Sequence, residues 1–116
     1  MQIQVNTDRT IEGRDELASE VSARIASRLE RFGDQITRIE VHLGDESTTR
    51  KGAADMRCMI EARPAGRSPV AVTEHAASVG EAVAGATGKL VRLLESEFGR
   101  LGDKKGAATI RGSEPA

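Results

Sequence analysis

The stretch DMRCMIEARPAGRSPVAVTEHA, residues 55–76, decides the fold that the sequence predicts. Its first part alternates between apolar and polar side chains, which is typical of a β-strand with one buried face. The inward set comprises Met56, Cys58, Ile60 and Ala62, and the outward set comprises Arg57, Glu61 and Arg63. PAGRSP, residues 64–69, supplies a tight turn, and VAVTEHA, residues 70–76, forms the next strand. The stretch therefore predicts two strands that cover a core on one side only.

Two further strands and a helix precede this pair. MQIQV, residues 1–5, and ITRIEVHL, residues 36–43, alternate in the same way. Between them, apolar residues recur every three or four positions from about residue 14 to residue 32, as in an amphipathic helix. They are Leu17, Val21, Ile25, Leu29 and Phe32. The Gly33-Asp34 pair is expected to end this helix, because glycine is favoured just past a helix C-terminus.

The segment that follows the last strand predicts a second, longer helix. Ser78 can cap its N-terminus, and Glu81 completes a capping box three residues later. The helical pattern continues to about Leu101 or Lys104. Residues 106–116 lack periodicity and are expected to form a flexible tail.

These elements follow the order β-α-β-β-β-α, which places the chain in the α+β class. Because each strand shows one apolar face, we expect a four-stranded sheet with both helices packed on one face. The first two strands are expected to run parallel through a right-handed crossover, and the later strands to pair as antiparallel hairpins. One domain, residues 1–105, accounts for the whole pattern. The loop of residues 44–55 is predicted to be mobile, because it is long and rich in Gly, Ser and Thr.

Composition restricts the class of protein. The chain has 116 residues, with 17 Lys and Arg against 18 Asp and Glu, so any basic surface must come from the arrangement of charges. Phe32 and Phe98 are its aromatic residues, and this scarcity argues against stacking of RNA bases on aromatic side chains. Cys58 is the single cysteine, which excludes an internal disulfide. With no signal peptide and no apolar run of about 20 residues, the sequence predicts a cytoplasmic protein.

No constellation of catalytic or metal-binding residues stands out in the sequence. Cys58 lies on the predicted inward face, where a thiol acts as a small core residue rather than as a nucleophile. His42 and His75 lie on different strands with no Cys or His at ligand spacing, and both are expected to be surface residues. We therefore expect no enzyme activity, no metal, no cofactor and no small-molecule substrate.

The basic residues of the two helices are the stronger functional signal. In GKLVRLLESEFGRLGDKK, residues 88–105, four cations fall within about a third of the helix circumference. They are Lys89, Arg92, Arg100 and Lys104, and those of the first helix are Arg24, Arg28 and Arg31. The two stripes predict one surface that contacts phosphates. The alternative is two solvated helix faces with local ion pairs. Such pairs would join Glu20 to Arg24 and Glu97 to Arg100.

Several stretches of the chain resemble one known family. They are MQIQV, RFGDQITRIEVHL, RCMIEARPAGRSPVAVTEHA and the helix that contains GKLVRLLESEFGRL, and the likeness extends from Met1 to about Asp103. The family is that of the ribosome hibernation promoting factors, also called ribosome-associated inhibitor A proteins. Its fold is β-α-β-β-β-α and resembles a double-stranded-RNA-binding domain, which agrees with the elements predicted above.

The resemblance implies a translation inhibitor without catalytic chemistry. Such proteins bind the small ribosomal subunit and its 16S-type ribosomal RNA, in the channel for messenger and transfer RNA, during stress or stationary phase. The chain is similar to the short family members, which lack the second domain that pairs ribosomes, and we expect a monomer on the ribosome. By position, RNA contacts are implied for Lys89, Arg92 and Arg100, and more loosely for Arg24, Arg28 and Arg31.

Departures from the family pattern keep a second function open. Family members usually carry more lysines where this chain reads ESEF, so Glu95 and Glu97 replace potential cations. If these two carboxylates point away from the basic stripe, they are expected to moderate RNA affinity rather than abolish it. Glycines also weaken the second helix, by about 1 kcal/mol each relative to Ala, most of all near Gly99. The alternative function is a protein-interaction or regulatory module of the same fold with weak or no RNA binding.

Overall fold

The structure, a computed structural model, describes the backbone of residues 1–8, 11, 13–47 and 54–106, and the side chains of these residues up to residue 99. It contains four strands and two long helices in the predicted order. These are β1 (Gln2–Thr7), α1 (Arg14–Leu29), β2 (Ile36–Asp45), β3 (Met56–Pro64), β4 (Val70–Ala76) and α2 (Val79–Gly106). A 3-10 segment, Glu30–Gln35, connects α1 to β2.

One mixed sheet holds the four strands in the order β1-β2-β3-β4. β1 and β2 run parallel, and the other neighbouring strands run antiparallel, as the sequence predicts. One apolar row crosses the whole sheet through Val5, Val41, Ile60 and Val72. Because side chains alternate with a period of two, this register turns the apolar set of every strand to the same face.

Both helices cover this apolar face, which confirms the predicted one-sided packing. One buried cluster combines side chains of α1, α2, β2 and β3. The helical members are Val21, Ile25 and Leu29 of α1, and Ala82, Val83, Ala86, Leu90 and Leu94 of α2. Ile39, Ile60 and Leu90 are fully buried, and burial of each such side chain contributes about 1.5–3 kcal/mol. The opposite face of the sheet carries most of the polar side chains of the strands.

The helix ends differ from the predicted ones. α1 ends at Leu29 rather than at Phe32, because the chain tightens into the 3-10 segment. Gly33 then adopts a φ of 51°, a backbone conformation that glycine reaches without steric cost. Phe32 is nevertheless buried in the core. α2 extends to Gly106, so the expected weakening near Gly99 does not interrupt its backbone.

The loop predicted over residues 44–55 is shorter than expected. Its first two residues belong to β2, and the N–H of Glu46 donates to the carbonyl oxygen of Asp55 over 2.7 Å. Asp55 is itself buried, so the two described ends of the loop are held in place. Residues 48–53 and the tail predicted beyond residue 106 lie outside the described residues.

Arg67, in the turn between β3 and β4, anchors the C-terminal half of α2. Its Nη1 atom donates to the carboxylate of Glu97 over 2.9 Å and to the carbonyl oxygen of the same residue over 3.2 Å. Its guanidinium carbon lies 5.2 Å from the ring centroid of Phe98, within the range of a cation–π interaction. The Phe98 ring in turn lies 5.7 Å from that of Phe32. The turn, the helix and the 3-10 segment are therefore packed together at one end of the fold.

We expect Arg67→Ala to lower the free energy of unfolding by about 1–2 kcal/mol, because it removes a partly buried ion pair and a cation–π contact together. Arg67→Lys should lower the free energy of unfolding by a smaller amount, since an ammonium group keeps the charge but lacks the planar set of guanidinium N–H donors. Arg28→Ala is the matched control and should change stability by less than about 0.5 kcal/mol. Urea unfolding measures all three, and equal effects of Arg67→Ala and Arg28→Ala would contradict this role.

Cys58 is confirmed as a core residue. It lies on the inward face of β3, opposite Leu43 of β2, and has no solvent exposure. Burial disfavours the charged thiolate and raises the pKa of the Cys58 thiol to about 12. Since the thiolate is the reactive form, this cysteine is protected both sterically and electrostatically.

Native Cys58 should therefore react with an aromatic disulfide reagent at least about 1,000-fold more slowly at pH 8 than the urea-unfolded chain does. Two causes act together: the buried thiol is almost entirely protonated at that pH, and the reagent reaches it only when the fold opens. The release of the coloured thiol measures both rates. Comparable rates for the native and the unfolded chain would show that the thiol is accessible.

Candidate nucleic-acid interface

The cations of α1 and of the segment after it approach α2. Arg24 and Arg28 lie on α1, and Arg31 follows in the 3-10 segment. The Nη1 atom of Arg24 lies 3.9 Å from the point that a Cβ on Gly80 would occupy, at the start of α2. Further along, Arg31 forms an ion pair with Glu95 of α2. Arg24 and Arg31 thus lie beside the groove between α1 and α2, and Arg28, one helical turn after Arg24, is exposed on α1.

Arg92 lies on the surface of α2, one turn after Gly88. Its Nη1 atom lies 3.6 Å from the point that a Cβ on Gly88 would occupy, so the side chain runs back along the helix. Among the described residues, Arg92 has no ion-pair partner, and the same holds for Arg24 and Arg28. We call these three the helix-layer arginines. The predicted pair of Glu20 with Arg24 does not form between these described side chains.

Lys89 lies on the other flank of α2, away from the groove. Its ammonium group forms an ion pair with Glu74 at 2.6 Å and donates to the carbonyl oxygen of Thr73 at 3.0 Å. Both partners belong to β4, the edge strand next to α2. The structure therefore does not bring Lys89 together with the arginines of α1.

Glu74 holds Lys89 on this flank of α2 through the ion pair, and the sequence analysis did not identify this residue. It lies opposite Cys58 in the sheet, on the face that the helices cover. Its Cγ atom lies 2.7 Å from the point that a Cβ on Gly85 would occupy, so α2 passes over this side chain closely. Alternation along β4 could have indicated an inward Glu74, but its partner on α2 depends on the packing of the helix.

The two acidic residues of ESEF point in different directions. Glu95 pairs with Arg31, and their side chains are 50% and 54% exposed, so Glu95 does not meet the condition of pointing away from the basic residues. Glu97 pairs with Arg67 and faces the turn between β3 and β4. An exposed ion pair contributes at most about 1 kcal/mol. A phosphate group can therefore replace Glu95 at Arg31 at little energetic cost. The side chains of Arg100 and Lys104 lie outside the described part of the chain.

The open face of the sheet carries arginines that already have carboxylate partners. The ion pairs join Arg38 to Glu40, Arg57 to Glu46 and Arg63 to Glu61, at 2.8, 2.9 and 3.8 Å. The hydrogen bond from Arg38 holds the pKa of Glu40 below its usual value, so that carboxylate stays charged. Cations and anions thus alternate on this face, whereas the helix layer keeps the arginines without described partners.

None of the described helices combines the length and the apolar character that a membrane-spanning helix needs. The chain is similar in structure to the N-terminal domain of Protein Y from Thermus thermophilus, with a TM-score of 0.65 and 23% identity over 83% of this chain and 98% of that one. A ribosomal subunit interface protein from Coxiella burnetii matches with a TM-score of 0.68 and 15% identity over 85% of this chain and 99% of that one. At these identities the likeness establishes the fold alone.

The family assignment comes from the sequence itself. No curated protein matches the chain at a significant level. Residues 3–101 match a family described as sigma 54 modulation protein / S30EA ribosomal protein. The match spans nearly the whole folded region and confirms the family resemblance seen in the sequence. The chain belongs to the sigma 54 modulation protein / S30EA ribosomal protein family.

Proposed function

We propose that the chain is a ribosome-associated factor that binds ribosomal RNA through its helix layer. The observation that carries the proposal is the set of helix-layer arginines, which have no ion-pair partner among the described residues. Family membership supports the ribosome as the partner, and so does the similar protein from Coxiella burnetii, which is named as a ribosomal subunit interface protein. Folded residues 1–105 are the proposed binding unit.

The finer proposal concerns the place and the effect of binding. The chain would occupy the messenger and transfer RNA channel of the small subunit in the cytoplasm, as a monomer, during stress or stationary phase. Occupancy of that channel is sufficient to keep a ribosome inactive, so no enzymatic step is needed. The family resemblance supports this location.

The chemistry of the helix layer suits phosphates rather than bases. A guanidinium presents several N–H donors in one plane and binds phosphate oxygens in pairs. The chain has two aromatic residues, Phe32 and Phe98, and they pack against each other inside the fold rather than against a ligand. Recognition by phosphate position and RNA shape is therefore the proposed mode, with little dependence on base identity.

Basic residues beyond the helix-layer arginines would join on binding. Arg31 and Lys89 are held by Glu95 and Glu74 in the free protein. For the exposed Arg31–Glu95 pair, the exchange of the carboxylate for a phosphate costs little electrostatic energy. At Lys89 the exchange costs more, because it leaves the half-buried carboxylate of Glu74 unpaired. Arg100 and Lys104 continue the stripe along α2 in sequence and complete the proposed contact set.

The same two ion pairs favour the second candidate function, a protein-interaction or regulatory module with weak RNA binding. Internal carboxylates lower the positive potential that RNA would meet. Sedimentation of a stationary-phase lysate through a sucrose gradient separates the two functions. Migration with the small subunit or the whole ribosome supports the RNA-binding factor, and recovery only in the top fractions supports the module.

Removal of two helix-layer arginines should weaken ribosome binding in a salt-dependent manner. For Arg24→Gln with Arg28→Gln, we expect at least about a tenfold loss of affinity for small subunits. The log–log salt slope should flatten by nearly two units, because each lost phosphate contact releases about one counterion fewer. Filter binding across a salt series measures both quantities.

The matched control is Arg38→Gln with Arg63→Gln, which removes the same charge from the open face of the sheet. This variant should keep its affinity within about twofold and its salt slope unchanged. If both double variants lose affinity equally, net charge rather than the helix layer drives binding. If the α1 variant keeps its affinity and slope while folded, its arginines are only solvated surface residues.

Loss of the carboxylate at Glu95 should strengthen binding. Glu95→Gln releases Arg31 for phosphate and should raise affinity for small subunits by about two- to fivefold, in line with an exposed ion pair. Glu61→Gln is the control, because it removes the same charge beside Arg63 on the open face of the sheet. Equal gains from both variants would mean that Glu95 acts through net charge alone.

A further inference from the structure

Three potential metal ligands converge where β2, β3 and β4 meet the loop. Glu46 follows β2, Asp55 precedes β3, and His75 belongs to β4. One carboxylate oxygen of each acid and one ring nitrogen of the histidine lie within 4.8 Å of one another. The sequence offered no Cys or His at ligand spacing to His75; the two acids come close to it only through the fold, from the ends of β2 and β3.

Two of the three donor–donor distances lie within about 0.4 Å of those around one small cation, and the third is no longer than 4.8 Å. The Nδ1 atom of His75 lies 3.0 Å from Oδ1 of Asp55 and 3.7 Å from Oε1 of Glu46. Ligands at about 2.0–2.2 Å from a tetrahedral metal ion lie about 3.3–3.6 Å from one another. Small side-chain rotations would bring the three atoms to that spacing, with no movement of the strands.

The backbone holds these three residues in place. The N–H of Glu46 donates to the carbonyl oxygen of Asp55, and the N–H of Asp55 donates to Oγ of Ser47 over 2.9 Å. His75 is paired with Arg57 in the ladder between β3 and β4. The ligand positions are therefore set by the sheet before any ion arrives, which lowers the cost of ordering them.

Neighbouring groups orient the ligands. Arg57 holds one oxygen of Glu46 at 2.9 Å, and the other oxygen faces His75. Hydrogen bonds of this kind to a ligating carboxylate are typical of metal sites. The Asp55 side chain is 9% exposed and directs Oδ1 at the imidazole, whereas His75 is 47% exposed and leaves a path from solvent.

We propose that Glu46, Asp55 and His75 bind one divalent transition-metal ion of the zinc type, with water in the remaining position. Imidazole and carboxylate ligands suit Zn²⁺, whereas Mg²⁺ and Ca²⁺ prefer oxygen ligands only. The two carboxylates supply the negative charge that a divalent cation requires, and Arg57 contacts one of them. The ion would join the last three strands of the sheet at the base of the loop.

Calorimetric titration of the metal-free, untagged protein with ZnCl₂ at pH 7.5 tests the proposal. We expect one ion per chain, and at least a tenfold weaker affinity for His75→Ala. His42→Ala is the matched control and should bind as the native chain does. His42 lies on the same face of the sheet, and its Nε2 atom is 3.6 Å from a carboxylate oxygen of Glu40. Among the described residues, however, His42 is not part of a group of three potential ligands.

Absence of binding, or equal affinity of the native chain and His75→Ala, would overturn the proposal. Equal losses in the two histidine variants would indicate an adventitious ion only. In the native chain, ¹⁵N NMR should show a Zn²⁺-dependent shift of Nδ1 of His75 and none at His42. Glu46→Gln tests a second ligand of the site and avoids a substitution at Asp55, whose burial makes loss of folding the expected risk. All these measurements use the free protein, so a failure to bind zinc would not count against the proposed ribosome binding.

Discussion

The burial of one face of the sheet beneath both helices is the constraint on which the rest of the molecule depends. Ile39 and Ile60 of the sheet and Leu90 of α2 lose all solvent exposure in this contact. Because α1 and α2 cover the same face of the sheet, they lie side by side with a groove between them. Their solvent-exposed sides together form one surface of the protein. The other face of the sheet is left to polar side chains. The two surfaces of the protein therefore differ in chemistry as a direct consequence of the core.

The distribution of charge follows from this division. The formal net charge of the chain is −1, but the two surfaces differ in how far their arginines are paired with carboxylates. On the open face of the sheet, Arg38 and Arg63 pair with a carboxylate two positions away on the same strand, and Arg57 pairs with Glu46 just after β2. On the helix layer, Arg24, Arg28 and Arg92 have no such partner among the described residues. A phosphate-rich partner would therefore gain more from the helix layer than from the sheet, even though the whole chain is nearly neutral.

Local periodicity predicted the strands, the order of elements and the one-sided core, because burial on one face imposes a period of two on strands and of 3.6 on helices. It also located the cations of both helices. Their pairing depends on packing that local patterns do not encode: Lys89 turns to Glu74 because α2 passes over β4 at Gly85. The contact of His75 with Asp55 depends in the same way on cross-strand register. Local periodicity also did not show that α1 passes into a 3-10 segment at Glu30.

We propose that the helix layer, and not the open face of the sheet, is the surface that meets ribosomal RNA. A cryo-electron-microscopy map of the chain bound to small ribosomal subunits tests it most directly. The account predicts that α1 and α2 face the RNA, with the guanidinium groups of Arg24, Arg28 and Arg92 within about 4 Å of phosphate oxygens. A map in which the strands β2 to β4 face the RNA, and the helices face solvent, would contradict it.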